Sequence, residues 1–179
     1  MSIDPPTLGI QGAMVLLRPF CRDDITDDYI GWLNDPAVVR FSNQRLVKHD
    51  RVSCLRYLSG FSGGDNLFLS IRRLDTGRAI GTMTAYVSTH HGTVDVGLMI
   101  GDKSVWGRGF GLDAWNSLTS WLLSQSTIRK LTGGTLACNM AMVRIMERTG
   151  MRLEGVRKAQ EIVEGLPQDV LYFAKFRDA

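Results

Sequence analysis

With 179 residues and 44% hydrophobic side chains, the chain holds enough core-forming material for one domain spanning residues 1–179. Its net charge of +3 is spread over interspersed basic and acidic residues, which excludes a nucleic-acid-binding stripe, and no apolar stretch approaches the ~20 residues of a membrane helix. Cys21, Cys54 and Cys138 are odd in number and lack CxxC spacing, and His49, His90 and His91 have no partner pattern, so neither a disulfide framework nor a metal site is expected. The first residues, MSIDPPTLGIQG, lack a basic start and an apolar run, and the expectation is a reduced, cytoplasmic protein.

In chain order, Met14 to Arg18 reads as a first strand, ended by Pro19. Asp23 to Leu33 suits a helix whose early acids favour its dipole. Pro36 to Phe41 and Asp50 to Leu58 read as shorter helices, followed by a glycine-rich turn from Ser59 to Asp65. Asn66 to Arg72 and Ala79 to Ser88 are strands joined at Asp75-Thr76-Gly77. His90-His91-Gly92 turns the chain into a strand from Thr93 to Ile100. Leu112 to Leu123 carries Leu112, Trp115, Leu118 and Leu122 at helical spacing. Leu131 to Ala137 is a strand, and Asn139 caps a helix that Gly150 terminates. Met151 to Val163 and Asp169 to Phe176 are the last strands, turning at Gly165-Leu166-Pro167. Strands preceding one strand–helix–strand–helix unit predict a mixed α+β layer rather than a doubly wound sheet.

The most informative stretch is Val105 to Ala114, VWGRGFGLDA. Gly107, Gly109 and Gly111 alternate between an apolar strand and an amphipathic helix, with the cation Arg108 among them. Glycines let a backbone approach a ligand, and the free N–H groups and dipole of a helix start face negative charge, usually phosphate. A Walker loop needs Gly-Lys-Ser/Thr, but Gly111 is followed by Leu112 and Asp113. A dinucleotide fingerprint needs G-x-G-x-x-G and a later acid, but Ile128 to Cys138 holds Arg129 and Lys130 and no acid.

The string resembles the pyrophosphate loop of the GNAT acyltransferases, R/Q-x-x-G-x-G/A, and Trp106 matches the W-G-K/R-G form of the RimJ/RimL-like branch. Thr93 to Ile100 is similar to that branch's preceding strand. Asn139 to Gly155 resembles its N-x-x-S…G-F-x-x-E-G segment through Asn139, Gly150, Glu154 and Gly155, with Met142 and Met151 in place of Ser and Phe. Trp32-Leu33-Asn34-Asp35-Pro36 resembles its W-x-N-D-P turn. The resemblance implies a GNAT fold, α+β, with a mostly antiparallel sheet of about seven strands flanked by helices and splayed at the CoA site. It implies acetyl-CoA as cosubstrate and no metal. The implied cofactor contacts are Trp106, Gly107, Arg108, Gly109, Phe110, Gly111, Asn139 and Arg144. Leu98, Met99 and Ile100 stand where the family strand bulges and its backbone N–H groups meet the oxyanion.

In the chemistry so implied, an amine must lose a proton, attack the thioester carbonyl and expel a thiolate whose thiol has a pKa of ~8.5. Removing one oxyanion donor typically costs ~3 kcal/mol. Many relatives place a Tyr acid in the helix after Asn139, where this chain has Met146. Water or a residue elsewhere then supplies that proton, and Tyr172 on the last strand is either this donor or a structural hydroxyl. Period-two alternation puts Asp95 on one strand face with Gly97 and Met99. If that face lines the acceptor cleft, Asp95 is a general base acting through water, with Glu161 as the rival acid. Asp113 and Glu147 read as helix-surface or capping charges, and Met140, Met142, Met146 and Met151 as adaptable core or pocket wall.

The segment from Arg40 through Phe41, Ser42 and Asn43 to Gln44 and Arg45 is polar around one aromatic. As an acceptor lining it suits a hydroxyl-rich or phosphorylated amine; otherwise it is a solvated loop. The expected activity is N-acetyl transfer to a small polar primary amine such as an amino-sugar nucleotide, by a monomer or homodimer. The alternatives are a protein N-terminal α-amine as acceptor, or an acyl-CoA-binding domain without turnover.

Overall fold

A computed structural model describes residues 9–177, and within them the sequence patterns become one sheet of eight strands with helices on both faces. The strands are β1 (Ile10–Gln11), β2 (Val15–Pro19), β3 (Leu67–Arg73), β4 (Ala79–Ser88), β5 (Thr93–Ile100), β6 (Lys130–Leu136), β7 (Arg152–Val163) and β8 (Leu166–Phe176). The helices are α1 (Asp27–Asn34), α2 (Pro36–Val39), α3 (Arg51–Ser59), α4 (Phe110–Ser124) and α5 (Met140–Arg148). The sheet order is β1-β2-β3-β4-β5-β6-β8-β7. Every neighbouring pair is antiparallel except β5–β6, which is parallel and needs α4 as its crossover.

Side-chain alternation sorts the sheet into two faces. On one, Leu17, Ile71, Met83, Val94 and Leu131 meet Trp115, Leu118 and Leu122 of α4, all of them buried. On the other, Phe20 and Phe68 pack with Ile25, Tyr29 and Leu33 from the α1 region and Cys54 of α3. Burial of such side chains is worth about 1.5–3 kcal/mol each and dominates the favourable side of folding.

Local rules set the ends of the elements. The helix expected from Asp23 starts instead at Asp27, because the Thr26 hydroxyl accepts from the Tyr29 N–H. Residues Arg22–Asp24 form a separate 3-10 turn. It exists to deliver Asp24, whose buried carboxylate accepts from Arg18, Arg72 and the Cys21 N–H. Burial alone would push that carboxyl up, but these donors hold it below the ordinary range. The helix expected to reach Phe41 stops at Val39. The last hairpin turns at Glu164-Gly165, both in the left-handed region, so β8 begins at Leu166 rather than Asp169. The eighth strand is β1, two residues long and too short for alternation to reveal. The turn from β1 into β2 is anchored from afar: Asp113 of α4 accepts from the N–H groups of Ala13, Met14 and Val15. No helix of the described residues is long and apolar enough to cross a membrane.

Candidate active site

The site begins where the two central strands part. β5 and β6 pair only from Thr93 to Asp95 against Lys130 to Thr132. Beyond Asp95, β5 stays on β4 as far as Ile100, while β6 continues with β8 as far as Leu136. Val96 to Ile100 therefore have no β6 partner, and a cleft opens between the strands. The expected bulge in β5 is absent: its register on β4 runs unbroken from Ser88↔Thr93 to Gly81↔Ile100. The splay alone, without a bulge, leaves one edge of Leu98, Met99 and Ile100 unpaired.

At the α4 end of this cleft lies the glycine loop. Gly107 and Gly109 adopt φ of +72° and +88°, values that L side chains rarely take. None of the N–H groups of Gly107, Gly109, Phe110 and Gly111 meets a backbone carbonyl among the described residues, as a helix start leaves them. A Cβ on Gly107 would meet nothing within 4 Å, so the loop faces open space. This arrangement fits a pyrophosphate, with backbone donors and a helix dipole together.

The other predicted cofactor residues divide between loop and scaffold. Gly111 is a packing glycine, its would-be Cβ 3.4 Å from Ile100 and Ile145 side chains. Phe110 is buried in the core with the Arg73 guanidinium over its ring. Trp106 is half-exposed, and its indole N–H donates to the Ile100 carbonyl at 2.9 Å, stapling the loop to the end of β5. Arg108 and Arg144 are exposed and make no ion pair among the described residues. Asn139 caps α5, its Oδ1 accepting from the Met142 N–H at 3.4 Å. Met146, at the position where relatives place an acid, is fully buried against Gly133 and Trp115, so that position cannot serve the cleft.

On the face opposite α4, the splay opens a cavity of about 330 Å³. It gathers Asp95, Glu161 and Tyr172, the three predicted catalytic candidates, with Phe41 and Asn43 from the predicted acceptor segment. Asp95 accepts from the Thr132 hydroxyl at 2.7 Å. Its carboxylate is reached by solvent at the cavity mouth yet surrounded by protein. That desolvation pushes it above the ordinary carboxylate range, against the opposing pull of Thr132. The Tyr172 ring lies beside Gly134, 3.3 Å from where a Cβ on that glycine would be, with the Arg157 guanidinium over the ring. Glu161 accepts from Asn43 at 3.3 Å and lies 3.6 Å from Arg45. The cavity also contains Thr84 and Tyr86, which sequence reasoning missed. Tyr86 is paired across the sheet with Asp95, and its hydroxyl is 2.8 Å from that of Tyr57 on α3.

The acceptor segment is split between two recesses. Phe41 and Asn43 line the cavity, while Arg40 and Arg45 line a neighbouring groove of about 510 Å³. Ser42 lines neither; its hydroxyl caps the 3-10 turn Asn43–Leu46 by accepting from the Gln44 N–H. Arg40 holds Glu164 through two hydrogen bonds of 2.9 Å. Arg45 donates to the carbonyls of Ser42 and Ile162. These bonds clasp the segment to the β7–β8 hairpin. Among the described residues no group of three or more His, Cys, Asp or Glu is placed to hold a metal ion.

The model of an acetyltransferase (GNAT) domain matches residues 14–152. Among solved structures, the chain is similar to RimL, a ribosomal L7/L12 alpha-N-protein acetyltransferase in complex with coenzyme A, with a TM-score of 0.83 at 17% identity, covering 96% of this chain and 98% of that one. The microcin C7 self-immunity acetyltransferase MccE, in complex with acetyl-CoA and AMP, gives a TM-score of 0.81 at 16% identity, with 96% and 97% covered. Spermidine N-acetyltransferase from Vibrio cholerae, in complex with CoA and spermine, gives 0.80 at 15% identity, with 91% and 95% covered. No curated protein matches by sequence. The family model spans β2, the glycine loop and the splayed pair, and the chain belongs to the GNAT family of acetyltransferases.

Proposed function

We propose that the protein transfers the acetyl group of acetyl-CoA to the primary amine of a small polar acceptor held in the Asp95 cavity. One observation carries the reading. The cavity at the parting of β5 and β6 is lined by two carboxylates, Asp95 and Glu161, and by hydroxyls of Thr84, Thr135, Tyr86 and Tyr172; among the described residues no Lys or Arg lines it, Arg45 and Arg157 reaching only Glu161 and the Tyr172 ring. That lining receives a hydroxyl-bearing ammonium and repels an anion. The favoured acceptor class is an amino sugar, free or nucleotide-linked.

The residues divide the work. The backbone of Gly107 to Gly111 and Arg108 hold the pyrophosphate, and Asn139 and Arg144 border the pantetheine side. Bound acetyl-CoA supplies a thioester whose thiolate is a fair leaving group. Asp95, with one oxygen occupied by Thr132, draws the proton from the ammonium through water. N–H groups along the free edge of Leu98 to Ile100 face the oxygen that gains charge, the kind of donor whose loss costs ~3 kcal/mol elsewhere. Tyr172 stands in the same cavity to return a proton. The Trp106-Gly107-Arg108-Gly109 string and the likeness to RimL support placement in the RimJ/RimL-like branch.

A thiol-release assay with a panel of amines tests the reading. Amino sugars are expected to release CoA at rates well above acidic or purely apolar amines. The likeness to RimL supports a second reading, in which the acceptor is a protein N-terminal α-amine. Turnover of N-terminal peptides with none on amino sugars establishes it instead. Heat protection by acetyl-CoA with no thiol release from any amine identifies a binding domain without turnover.

A further inference from the structure

The groove beside the cavity is a site of opposite charge. Its polar residues include three cations, Arg40, Arg45 and Lys48, against one carboxylate, Glu164. Its walls are aliphatic, and Leu46 and Val47 stand 71% and 60% exposed within it. The groove and the cavity are built by the same two stretches of chain. Phe41 and Asn43 face the cavity where Arg40 and Arg45 face the groove, and Glu161 faces the cavity where Val163 and Glu164 face the groove. The two stretches are bonded to each other through Asn43–Glu161, Arg45–Ile162 and Arg40–Glu164, so cavity and groove lie on either side of one shared wall, and a ligand spanning both displaces the exposed Arg40–Glu164 bridge.

We propose that this groove binds the diphosphate and nucleoside of a sugar-nucleotide acceptor whose amino sugar occupies the Asp95 cavity. The proposal rests on the acetyl-transfer reading above and adds a second, basic half to its acceptor site. An ammonium at one end and a diphosphate at the other match an acidic cavity that shares a wall with a basic groove. Arg45 stands at the border already oriented: it donates to the Ser42 carbonyl at 2.8 Å, to Asn43 Oδ1 at 3.1 Å and to the Ile162 carbonyl at 3.1 Å. Its contact with Glu161 is longer, at 3.6 Å. Arg40 is bound to Glu164, but their side chains are 52% and 63% exposed, so the pair is a weak surface bridge that a diphosphate can replace. Lys48 is exposed and has no ion-pair partner among the described residues. Planar guanidinium groups suit phosphate oxygens, and Leu46 and Val47 give a ribose and base an apolar surface to cover.

The test is calorimetric titration of UDP and of dTDP into the protein saturated with CoA, which keeps the nucleotides out of the glycine loop. Binding is expected in the wild type. Lys48→Glu and Arg40→Ala should each weaken it by about tenfold or more, with affinity for acetyl-CoA unchanged. The Lys48 side chain makes no hydrogen bond or ion pair among the described residues, so its variant separates charge from folding. The proposal is overturned if neither nucleotide binds beside CoA, if CoA displaces them, if both variants bind as wild type does, or if an acidic peptide with a free N-terminus binds the groove in their place. Thiol release from a free amino sugar is scored separately. Turnover without nucleotide binding removes the groove and leaves the function, and nucleotide binding without turnover does the reverse.

Discussion

The Thr132 hydroxyl donates to the Asp95 carboxylate at 2.7 Å across the last rung of the parallel β5–β6 pair. One rung further on the strands have parted, so the bond fixes Asp95 at the mouth of the cleft and leaves its second oxygen without a donor among the described residues. Desolvation raises this carboxyl and Thr132 opposes the rise. Thr132→Val removes a donor to the charged form, so the carboxyl rises further. Asp95 must be ionised to act as a base, and the acid limb of kcat/KM should move to higher pH. Thr132→Ser should restore it. A pH–rate profile of the three proteins checks this.

The two kinds of loop glycine should separate by mutation. At Gly109, with φ of +88°, any side chain is strained by roughly 1–2 kcal/mol, and a Cβ projects toward Met14. Gly109→Val should cost about tenfold or more in acetyl-CoA affinity by calorimetry, with the circular dichroism of a folded protein. Gly111→Ala introduces only ordinary contacts with Ile100, Ile145 and Leu98. Its affinity should stay within a few-fold of wild type.

Much of this was legible in the sequence because its causes are local. The Asp75-Thr76-Gly77 turn marked β4, an apolar run marked β5, helical spacing marked α4, and the alternate glycines marked the loop between strand and helix. Asp95, Glu161 and Tyr172 were chosen from three separate strands, and the fold places them in one cavity. What escaped depends on distant partners. Asp113 read as a capping charge, yet it holds the backbone of residues nearly a hundred positions earlier. Tyr86 and Thr84 carry no motif, and only the register of β4 on β5 brings them beside Asp95 and Gly97. The resemblance implied both a splay at the CoA site and a bulge in β5; the splay is present and the bulge is not. Ser42 and Asn43 differ in role because a 3-10 turn rotates one away from the cavity.

Asp113 therefore carries a stability prediction. Asp113→Ala leaves three backbone N–H groups without their acceptor at a half-buried position. The expected loss is about 2–3 kcal/mol in denaturant unfolding. Asp113→Asn keeps one acceptor oxygen and should lose less.

Met146 tests whether the missing acid can be restored. Met146→Tyr forces a larger side chain against Gly133 and Trp115 and should destabilise by about 1–3 kcal/mol. The hydroxyl would lie in the core, so kcat should not rise. A gain in kcat with an alkaline limb near the tyrosine range would show that this position reaches the cleft after all.

Asp95 is the proposed base of acetyl transfer, and the most direct measurement is kcat/KM of Asp95→Asn against wild type across pH, followed by thiol release from an amino-sugar acceptor. The substitution keeps shape and an acceptor for Thr132 while removing basicity. A fall of ~10²-fold or more is expected at neutral pH, with partial recovery as pH rises and free amine becomes abundant. A variant within a few-fold of wild type over the whole range would contradict it, leaving Asp95 a structural carboxylate and the proton to Glu161 or to water.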